Sequence, residues 1–271
     1  MCSRLSEPQQ DSNSIPAHLL QPLWFRSRES LSDNGVIYDP IAADVCQRCH
    51  LSMDCGRTNL DQQQLLNATL TQQCDQRVRQ FLERHPDGWI INLGAGLDTR
   101  FYRIDNGRCR WIEVDVSEHL LLRQKLFHRS ERYQHMAGSV TDLSWLQNLP
   151  MADSTPTLIL CEYALLECDN HAVSHVVKTL GLHFSGASVC FVLAGDKTAT
   201  SLGEKLGSAQ YAHGFADCQS AMLNCLPWLK KIVLISPLDH VCPRWKWWQK
   251  VLGAWQRYKY RFTPVIVSMR W

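Results

Sequence analysis

The spacing of hydrophobic and polar residues along the chain predicts alternating helices and strands. Residues 61–84 carry apolar side chains at helical intervals, which predicts one long amphipathic helix. Helices are also predicted at 23–50, interrupted by a turn at 32–35, and at 117–129 and 170–184. Short apolar runs of strand length lie at residues 89–94, 110–115, 133–137, 157–161, 188–194, 231–236 and 264–269. The alternation predicts an α/β fold, with a mostly parallel sheet covered by helices on both faces.

The same patterns predict a single domain that follows a short tail. Residues 1–22 are rich in Gln, Ser and Pro and lack an apolar block, so they are predicted to be a disordered tail without a secretion signal. The domain is predicted to cover residues 23–271, a length that suits one large core. Its segments are lid helices at 23–60, a core at 61–196, a lid insertion at 197–228, and C-terminal strands with an aromatic and basic segment at 229–271.

Composition changes this interpretation little. The 28 Lys and Arg residues nearly balance the 26 Asp and Glu residues, so the net charge of +2 favours no particular class of charged partner. No apolar run reaches membrane-spanning length. The twelve cysteines are expected to be reduced thiols of a cytoplasmic protein. Neither a nucleic acid nor a membrane is expected as a partner, and the oligomeric state stays open.

A glycine-containing turn follows the first predicted strand. Gly94, Ala95 and Gly96 come directly after its apolar run, and the second strand ends in Asp115. Glycines let the backbone approach a ligand at the carboxyl end of a strand, where an acid on the next strand can accept hydrogen bonds from ribose. The pattern predicts a nucleotide-binding unit. A nicotinamide dehydrogenase is a weaker alternative, because Thr99 stands where the third glycine of its fingerprint would be.

The residues around this turn resemble the leucine carboxyl methyltransferase family, which includes bacterial polyketide O-methyltransferases. The resemblance covers roughly residues 22–195. It is carried, in chain order, by the segments Arg26-Ser27-Arg28-Glu29-Ser30, Tyr38-Asp39-Pro40-Ile41-Ala42, Asn92 to Arg100, Glu113-Val114-Asp115, Asp142-Leu143-Ser144-Trp145 and Pro156 to Glu162. It implies the class I methyltransferase fold, a Rossmann-like, seven-stranded and mostly parallel sheet with helices on both faces and a helical lid, and it implies the cofactor S-adenosylmethionine (SAM).

The resemblance also implies which residues bind SAM. Gly94, Ala95 and Gly96 would lie against its methionine part. Asp115 would accept hydrogen bonds from the ribose hydroxyls, and Glu162 would face the ammonium group. This set places the cofactor at the carboxyl edge of the sheet.

Two further regions complete the implied cofactor site. Arg26 or Arg28 would lie near the SAM carboxylate, for which a guanidinium is well suited. Ser139 occupies a position that contacts adenine in the family. For Asp98 and Arg100, an internal ion pair and ligand contact are both open.

Three positions depart from the family pattern. Leu70 stands where an arginine would bind the cofactor carboxylate, Ser139 stands where an aspartate is expected, and Glu167 lies in the stretch where the family has a tyrosine. Loss of one charge-assisted bond costs about 1.5–3 kcal/mol. The departures therefore weaken the predicted SAM binding without excluding it.

The implied function is SAM-dependent O-methylation of a carboxylate or a phenolic hydroxyl on a small metabolite. The cofactor carries the reactive methyl group, so the protein has mainly to align the acceptor oxygen. His213 and His183 are candidate bases, but a lone histidine is more often structural, and no catalytic residue is assigned. The alternative is a catalytically impaired homologue that binds SAM or S-adenosylhomocysteine weakly and serves as a partner or sensor.

A cysteine-rich motif precedes the core. Cys46, Cys49 and His50 spell the C-x-x-C-H pattern of covalent haem attachment, and Cys55 lies nearby as a further zinc ligand. Haem attachment of this kind needs an exported protein, and a zinc site needs a fourth ligand that is not evident. We therefore predict no metal and expect partly buried cysteines on a helix.

Aromatic and basic residues alternate between Trp245 and Arg261. Trp248, Val251, Leu252 and Trp255 recur at helical spacing, which favours core packing with snorkelling cations, or a wall of the acceptor pocket. Binding of single-stranded nucleic acid or of a membrane interface is the alternative for such a composition.

Overall fold

A computed structural model of the protein describes residues 15–53, 59–151 and 155–271. Ten α-helices occur in these residues: α1 (Ala17–Ser30), α2 (Pro40–Arg48), α3 (Leu60–Arg84), α4 (Arg100–Ile104), α5 (Ser117–Leu126), α6 (Asn170–His183), α7 (Ser201–Lys205), α8 (Cys218–Cys225), α9 (Trp247–Ala254) and α10 (Gln256–Phe262). The strands are β1 (Trp89–Leu93), β2 (Arg110–Asp115), β3 (Tyr133–Ala137), β4 (Thr157–Cys161), β5 (Ser188–Ala194), β6 (Lys231–Ile235) and β7 (Pro264–Arg270). All seven predicted strands are confirmed, with bounds within one residue of those predicted.

The strands form one sheet in the order β3-β2-β1-β4-β5-β7-β6. Neighbouring strands from β3 to β5 pair in parallel, whereas β7 runs antiparallel to both β5 and β6. This confirms the predicted seven-stranded, mostly parallel sheet. The chain order reverses between β1 and β4, and such a switch point leaves a crevice at the carboxyl ends of the two strands.

Burial on both faces of the sheet explains the continuous apolar runs of the central strands. Every residue of β1 and β4 is buried, as expected of parallel strands between two helical layers. Ile91 and Leu93 face one apolar cluster, which contains Val173 of α6. Ile90 faces the other, to which α3 contributes Leu66.

The first helix begins earlier than predicted. Residues 1–22 were expected to be a disordered tail, but α1 starts at Ala17, and residues 1–14 lie outside the described residues. Leu19, Leu20 and Leu23 are buried against α2 and the start of α3. The prediction is wrong for residues 15–22, because the apolar residues that anchor them are too few to form a clear run in the sequence.

Residues 197–228 contain α7 and α8 and no strand, as the pattern predicted. Met222 and Cys225 of α8 are buried in the same cluster as Val173 of α6. Among the residues that the structure describes, no helix is both long and apolar enough to cross a membrane.

Candidate functional site

A cavity of about 450 Å³ lies at the carboxyl edge of the sheet, where β1, β2 and β4 end. Its volume falls within the range of small-molecule sites, roughly 300–1,000 Å³. Seven of the eight residues predicted to bind the cofactor line it: Arg26, Gly94, Ala95, Gly96, Asp115, Ser139 and Glu162. The fold therefore brings together side chains and backbone from five separate parts of the chain.

The glycine-containing turn forms one side of the cavity. Gly94 and Gly96 have φ angles of 60° and 48°, in the left-handed region that favours glycine. A Cβ added at Gly94 would lie 2.1 Å from the Cβ of Ala164, so the turn packs directly against the segment after β4. The Gly94 N–H donates to the Val114 carbonyl at 2.8 Å, which fixes the turn against β2.

Asp115 connects the end of β2 to this turn. Its carboxylate accepts the Gly96 N–H at 2.6 Å and the Val116 N–H at 2.8 Å, and it lies 2.8 Å from Nδ1 of His119. The ring of His119 also lies against that of His18 from α1, with centroids 5.4 Å apart. All five of these residues line the cavity, so Asp115 is held with its carboxylate at the cavity wall.

Glu162 directly follows β4 and is buried at the opposite side of the turn. Its carboxylate accepts hydrogen bonds from the Thr71 hydroxyl and the Arg100 guanidinium. Arg100 is fully buried and also pairs with Asp75, at 2.6 Å, and with Asp98. One guanidinium thus contacts three carboxylates beneath the cavity, and Arg103 supplies a second positive charge beside two of them, Asp75 and Asp98.

Asp98 both forms the internal ion pair and lines the cavity. Burial would raise the pKa of Asp98, but the guanidinium groups of Arg100 and Arg103 outweigh burial and lower that pKa below its ordinary value. An internal ion pair and contact with a ligand are therefore compatible for Asp98. The Arg100 guanidinium instead bonds only to its carboxylate partners among the described residues.

Arg26 links α1 to the turn. It donates to Asp39 at 3.0 Å and to the Leu97 carbonyl at 2.8 Å, and it lines the cavity. Arg28, the alternative in the prediction, does not line the cavity. Its guanidinium lies over the Trp24 ring and 3.5 Å from Asp61. Since two residues along a helix are about 200° apart around its axis, only one of the two arginines can face the turn.

The departures from the family pattern also lie at the cavity. Leu70 is 2% exposed, belongs to the apolar cluster around α3 and lines the cavity without supplying a charge. The Ser139 hydroxyl lies 3.2 Å from that of Thr141, and its carbonyl accepts the Trp145 Nε1–H at 3.0 Å. Among the described lining residues Arg26 is the one arginine or lysine, so it is the residue available for a carboxylate.

Neither candidate histidine lines the cavity. His213 accepts the Ala194 N–H at its Nε2 and hydrogen-bonds the Cys168 carbonyl through its Nδ1, both at 2.9 Å, and burial lowers its pKa. Both of its nitrogens are therefore committed to the backbone. His183 is exposed at the end of α6. The sequence could not distinguish these structural positions from catalytic ones.

Several polar residues that line the cavity were not identified from the sequence as site residues. These are Gln21 of α1, Gln63 and Asn67 of α3, Tyr163 and Glu167 after β4, and Gln210 and Tyr211 in segment 197–228. Burial raises the pKa of Tyr163 well above its ordinary value and raises that of Tyr211 to about 12. The amides of α3 resemble any solvated helix face, so no pattern in the sequence marks them.

The cysteine motif lies at the end of α2, away from the cavity. Cys46 is buried and Cys49 is half-buried, and Cys55 lies outside the described residues. Among residues 15–53, 59–151 and 155–271, no three His, Cys, Asp or Glu side chains are grouped in a way that could hold a metal ion.

The aromatic and basic segment differs from its prediction. No described residue between Trp245 and Arg261 lines the cavity. Trp248 and Leu252 pack against the α3 cluster, but Val251 and Trp255 are 49% and 60% exposed. The packing interpretation is wrong for these two residues, because one helix face meets the core and they project from the other.

Comparisons with known proteins bear on the fold and the family of the chain. Residues 20–180 match the family model described as leucine carboxyl methyltransferase. The tetracenomycin polyketide synthesis O-methyltransferase TcmP of Streptomyces glaucescens is 28% identical over 145 residues, which cover 53% of each chain, so this chain spans about half the length of that relative. A solved structure of a DUF574 family protein from Streptomyces avermitilis has a TM-score of 0.62 at 10% identity, covering 96% of this chain and 98% of that one.

The structural likeness shows the fold, and the family model identifies the chain further because it matches more than half of its residues. The protein belongs to the leucine carboxyl methyltransferase family, a family of SAM-dependent methyltransferases.

Proposed function

We propose that the protein transfers the methyl group of SAM to a hydroxyl oxygen, most specifically a phenolic one, of a small molecule. The observation that carries the proposal is the two-part lining of the cavity. The glycine turn, Asp115 and Glu162 form one part, and neutral amides and tyrosines form the other. The name of the relative TcmP, a polyketide synthesis O-methyltransferase, points to the same acceptor class.

The charge of the cavity wall supports binding of a cationic cofactor. Four carboxylates line the described cavity, those of Asp98, Asp115, Glu162 and Glu167. The buried Arg100 pairs with Asp98 and Glu162, which leaves Asp115 and Glu167 against the guanidinium of Arg26. SAM carries a sulfonium and an ammonium group against one carboxylate, so its net charge is complementary. We assign its ribose to Asp115, its methionine part to the turn of Gly94 and Gly96, and its carboxylate to the side of Arg26.

The amide and apolar residues of the lining favour a neutral acceptor over a carboxylate. Gln63, Asn67 and Gln210 offer amide groups that hydrogen-bond hydroxyls and carbonyls, and Leu70 and Leu166 offer apolar surface. An acceptor carboxylate would meet the Glu167 carboxylate there, and Arg26, the one lining cation described, is assigned to the carboxylate of SAM. Like charges in a partly buried site disfavour such an acceptor.

Bound SAM supplies the electrophilic methyl group, and the residues of the chain hold and deprotonate the acceptor. Because burial raises their pKa values, Tyr163 and Tyr211 keep their protons at neutral pH, so they can hydrogen-bond the acceptor but not deprotonate it. Glu167 lines the cavity, and its side chain has no hydrogen-bond or ion-pair partner among the described residues. We therefore assign it the role of accepting the proton of a phenol.

Transfer of a labelled methyl group tests both the reaction and the acceptor class. The protein is incubated with methyl-labelled SAM and with matched aromatic acceptors that carry either a phenol or a carboxylate. We expect label in phenol methyl ethers, which survive mild alkali, and not in methyl esters, which alkali hydrolyses. Ester products would overturn the hydroxyl assignment. SAM binding without transfer to either acceptor class would support the impaired homologue instead.

Substitution of Glu167 tests its role separately. General base catalysis contributes about 10²- to 10⁴-fold to a rate, so Glu167→Gln is expected to lower kcat with phenols by such a factor while leaving S-adenosylhomocysteine binding unchanged. The exposed Glu83→Gln on α3 is the matched control. An unchanged kcat in Glu167→Gln would remove Glu167 from the mechanism without touching the cofactor assignment.

A further inference from the structure

One face of the helical pair α9 and α10 is aromatic and basic and is open to solvent. We call it the α9–α10 surface, and it consists of Lys246, Trp247, Lys250, Val251, Trp255, Arg257 and Tyr258. Trp247 is 78% exposed and Trp255 60%, while Val251 and Tyr258 are each 49% exposed. On α9, Trp247, Lys250 and Val251 lie three and four residues apart and so share one side of the helix.

Core packing does not account for these side chains. Trp248 and Leu252, on the other side of α9, contact the apolar cluster around α3, and Gln249 is fully buried. The helix is therefore anchored by one face and presents the other to solvent. Single exposed apolar residues are common, but two tryptophans, a valine and a tyrosine on one continuous surface are typical of an interaction site.

The charge of the α9–α10 surface indicates which class of partner it can bind. Residues 244–264 contain six cations and no acid. Three of these cations are neutralised within the fold, since Arg244 pairs with Glu29, Lys259 with Asp239 and Arg261 with Asp196. The remaining three, Lys246, Lys250 and Arg257, have no ion pair among the described residues, and all belong to the α9–α10 surface.

We propose that the α9–α10 surface docks the protein on an anionic lipid bilayer. Tryptophan and tyrosine rings are suited to the headgroup level of a membrane, with neighbouring cations attracted to acidic lipids. This combination, on a solvent-exposed helix face whose opposite face packs against the core, is the observation that favours a membrane. The inference replaces the expectation from sequence that no membrane is a partner, and it is independent of the proposed reaction because none of these residues lines the cavity.

Two other occupants fit the surface less well. Base stacking on a single strand uses accessible rings as parallel platforms, but the neighbouring Trp255 and Tyr258 rings are inclined by 54° and an aliphatic side chain lies among the exposed residues. A two-fold contact between copies would use this same patch on both chains. It would place the unpaired cations of one chain against those of the other.

Co-sedimentation of the full chain with vesicles tests the proposal. We expect binding to vesicles of phosphatidylcholine with phosphatidylserine, little binding to phosphatidylcholine alone, and loss of binding at high salt. Each cation near an acidic bilayer contributes about fivefold to partitioning, so Lys250→Glu is expected to weaken binding at least fivefold. The exposed Lys178→Glu on α6 makes the same charge change elsewhere. It is expected to bind vesicles as the parent protein does.

The aromatic contribution has its own matched pair. Trp247→Ala is expected to weaken vesicle binding about tenfold or more, because burial of an aromatic side chain at the interface is lost. Leu182→Ala on α6, at a residue 75% exposed, is the control. Both residues are exposed, so thermal unfolding should be unchanged. Absence of binding to acidic vesicles, equal loss in the controls, or dimer formation or single-strand binding that these variants abolish would overturn the proposal.

Discussion

Arg100 determines the charge balance beneath the cavity. The side chain is completely buried and contacts the carboxylates of Asp75, Asp98 and Glu162, which come from α3, the glycine turn and the end of β4. Removal of one partner of a buried pair leaves an uncompensated charge. From the sequence, only the neighbouring Asp98 could be foreseen as a partner, because the other two acids are 25 and 62 residues away.

His213 is one of the histidines whose protonation should limit stability in mild acid, together with His135 and His240, whose pKa values burial also lowers. Burial lowers the pKa of His213 below the ordinary value of 6.5, so the unfolded chain binds a proton at higher pH than the folded chain does. The contribution of His213 to the free energy of unfolding is therefore fully present above pH 6.5. It is lost as the pH decreases towards the folded pKa, by up to about 1.4 kcal/mol per pH unit.

Urea unfolding between neutral and mildly acidic pH measures this effect. His213→Gln keeps an acceptor for Ala194 and a donor for Cys168, and it should remove that part of the pH dependence. The exposed His183→Gln should retain it. The same slope in all three proteins would contradict the structural role of His213.

At the scale of single elements, α1 is held against the glycine turn by Arg26. Its bonds to Asp39 and Leu97 are buried, although Asp39 keeps Arg103 and Thr99 as further partners. Arg26→Ala should cost about 3 kcal/mol, near the lower end for breaking a buried ion pair. Arg48→Ala, which breaks an exposed pair on α2, should cost under about 1 kcal/mol. Urea midpoints compare the two, and equal shifts would mean that α1 is not anchored in this way.

The glycine turn offers a second matched comparison. Gly94 and Gly107 both have positive φ angles, but a Cβ would meet Ala164 only at Gly94, and nothing lies within 4 Å of a Cβ at Gly107. Gly107→Ala should lose about 1–2 kcal/mol through backbone strain alone. Gly94→Ala should lose a further 1–3 kcal/mol or so through overpacking. If denaturant unfolding gave the two variants equal stability, the close packing of this turn would be excluded.

Helices and strands were predicted correctly from the sequence where both faces are buried. The prediction was less accurate for elements that are buried on one face. The strands read as apolar runs because both faces of β1 and β4 are covered. The start of α1 was missed because three leucines spread over one helix face do not form a run. For α9, helical spacing correctly indicated one helix but placed Val251 in the core, since periodicity alone cannot say how wide the buried face is.

At the scale of the whole molecule, the sheet order explains why the residues after the strands were predictable as site residues and those from the helices were not. The ends of β1, β2 and β4 are neighbours in the sheet, so residues that follow these strands must meet at one edge. Gln63, Asn67 and Tyr211 reach the same cavity from α3 and from segment 197–228. No rule of strand order links those regions, and the proposed acceptor class rests on their packing together.

Every role proposed for the lining residues requires SAM to occupy this cavity, and titration calorimetry with S-adenosylhomocysteine tests that most directly. We predict one binding site per chain, with Asp115→Asn weakening binding about tenfold to a hundredfold, since a charge-assisted bond is worth about 1.5–3 kcal/mol. The exposed Asp44→Asn should bind as the parent protein does. No heat of binding at millimolar ligand from the folded parent protein, or equal affinity in all three proteins, would contradict the central claim.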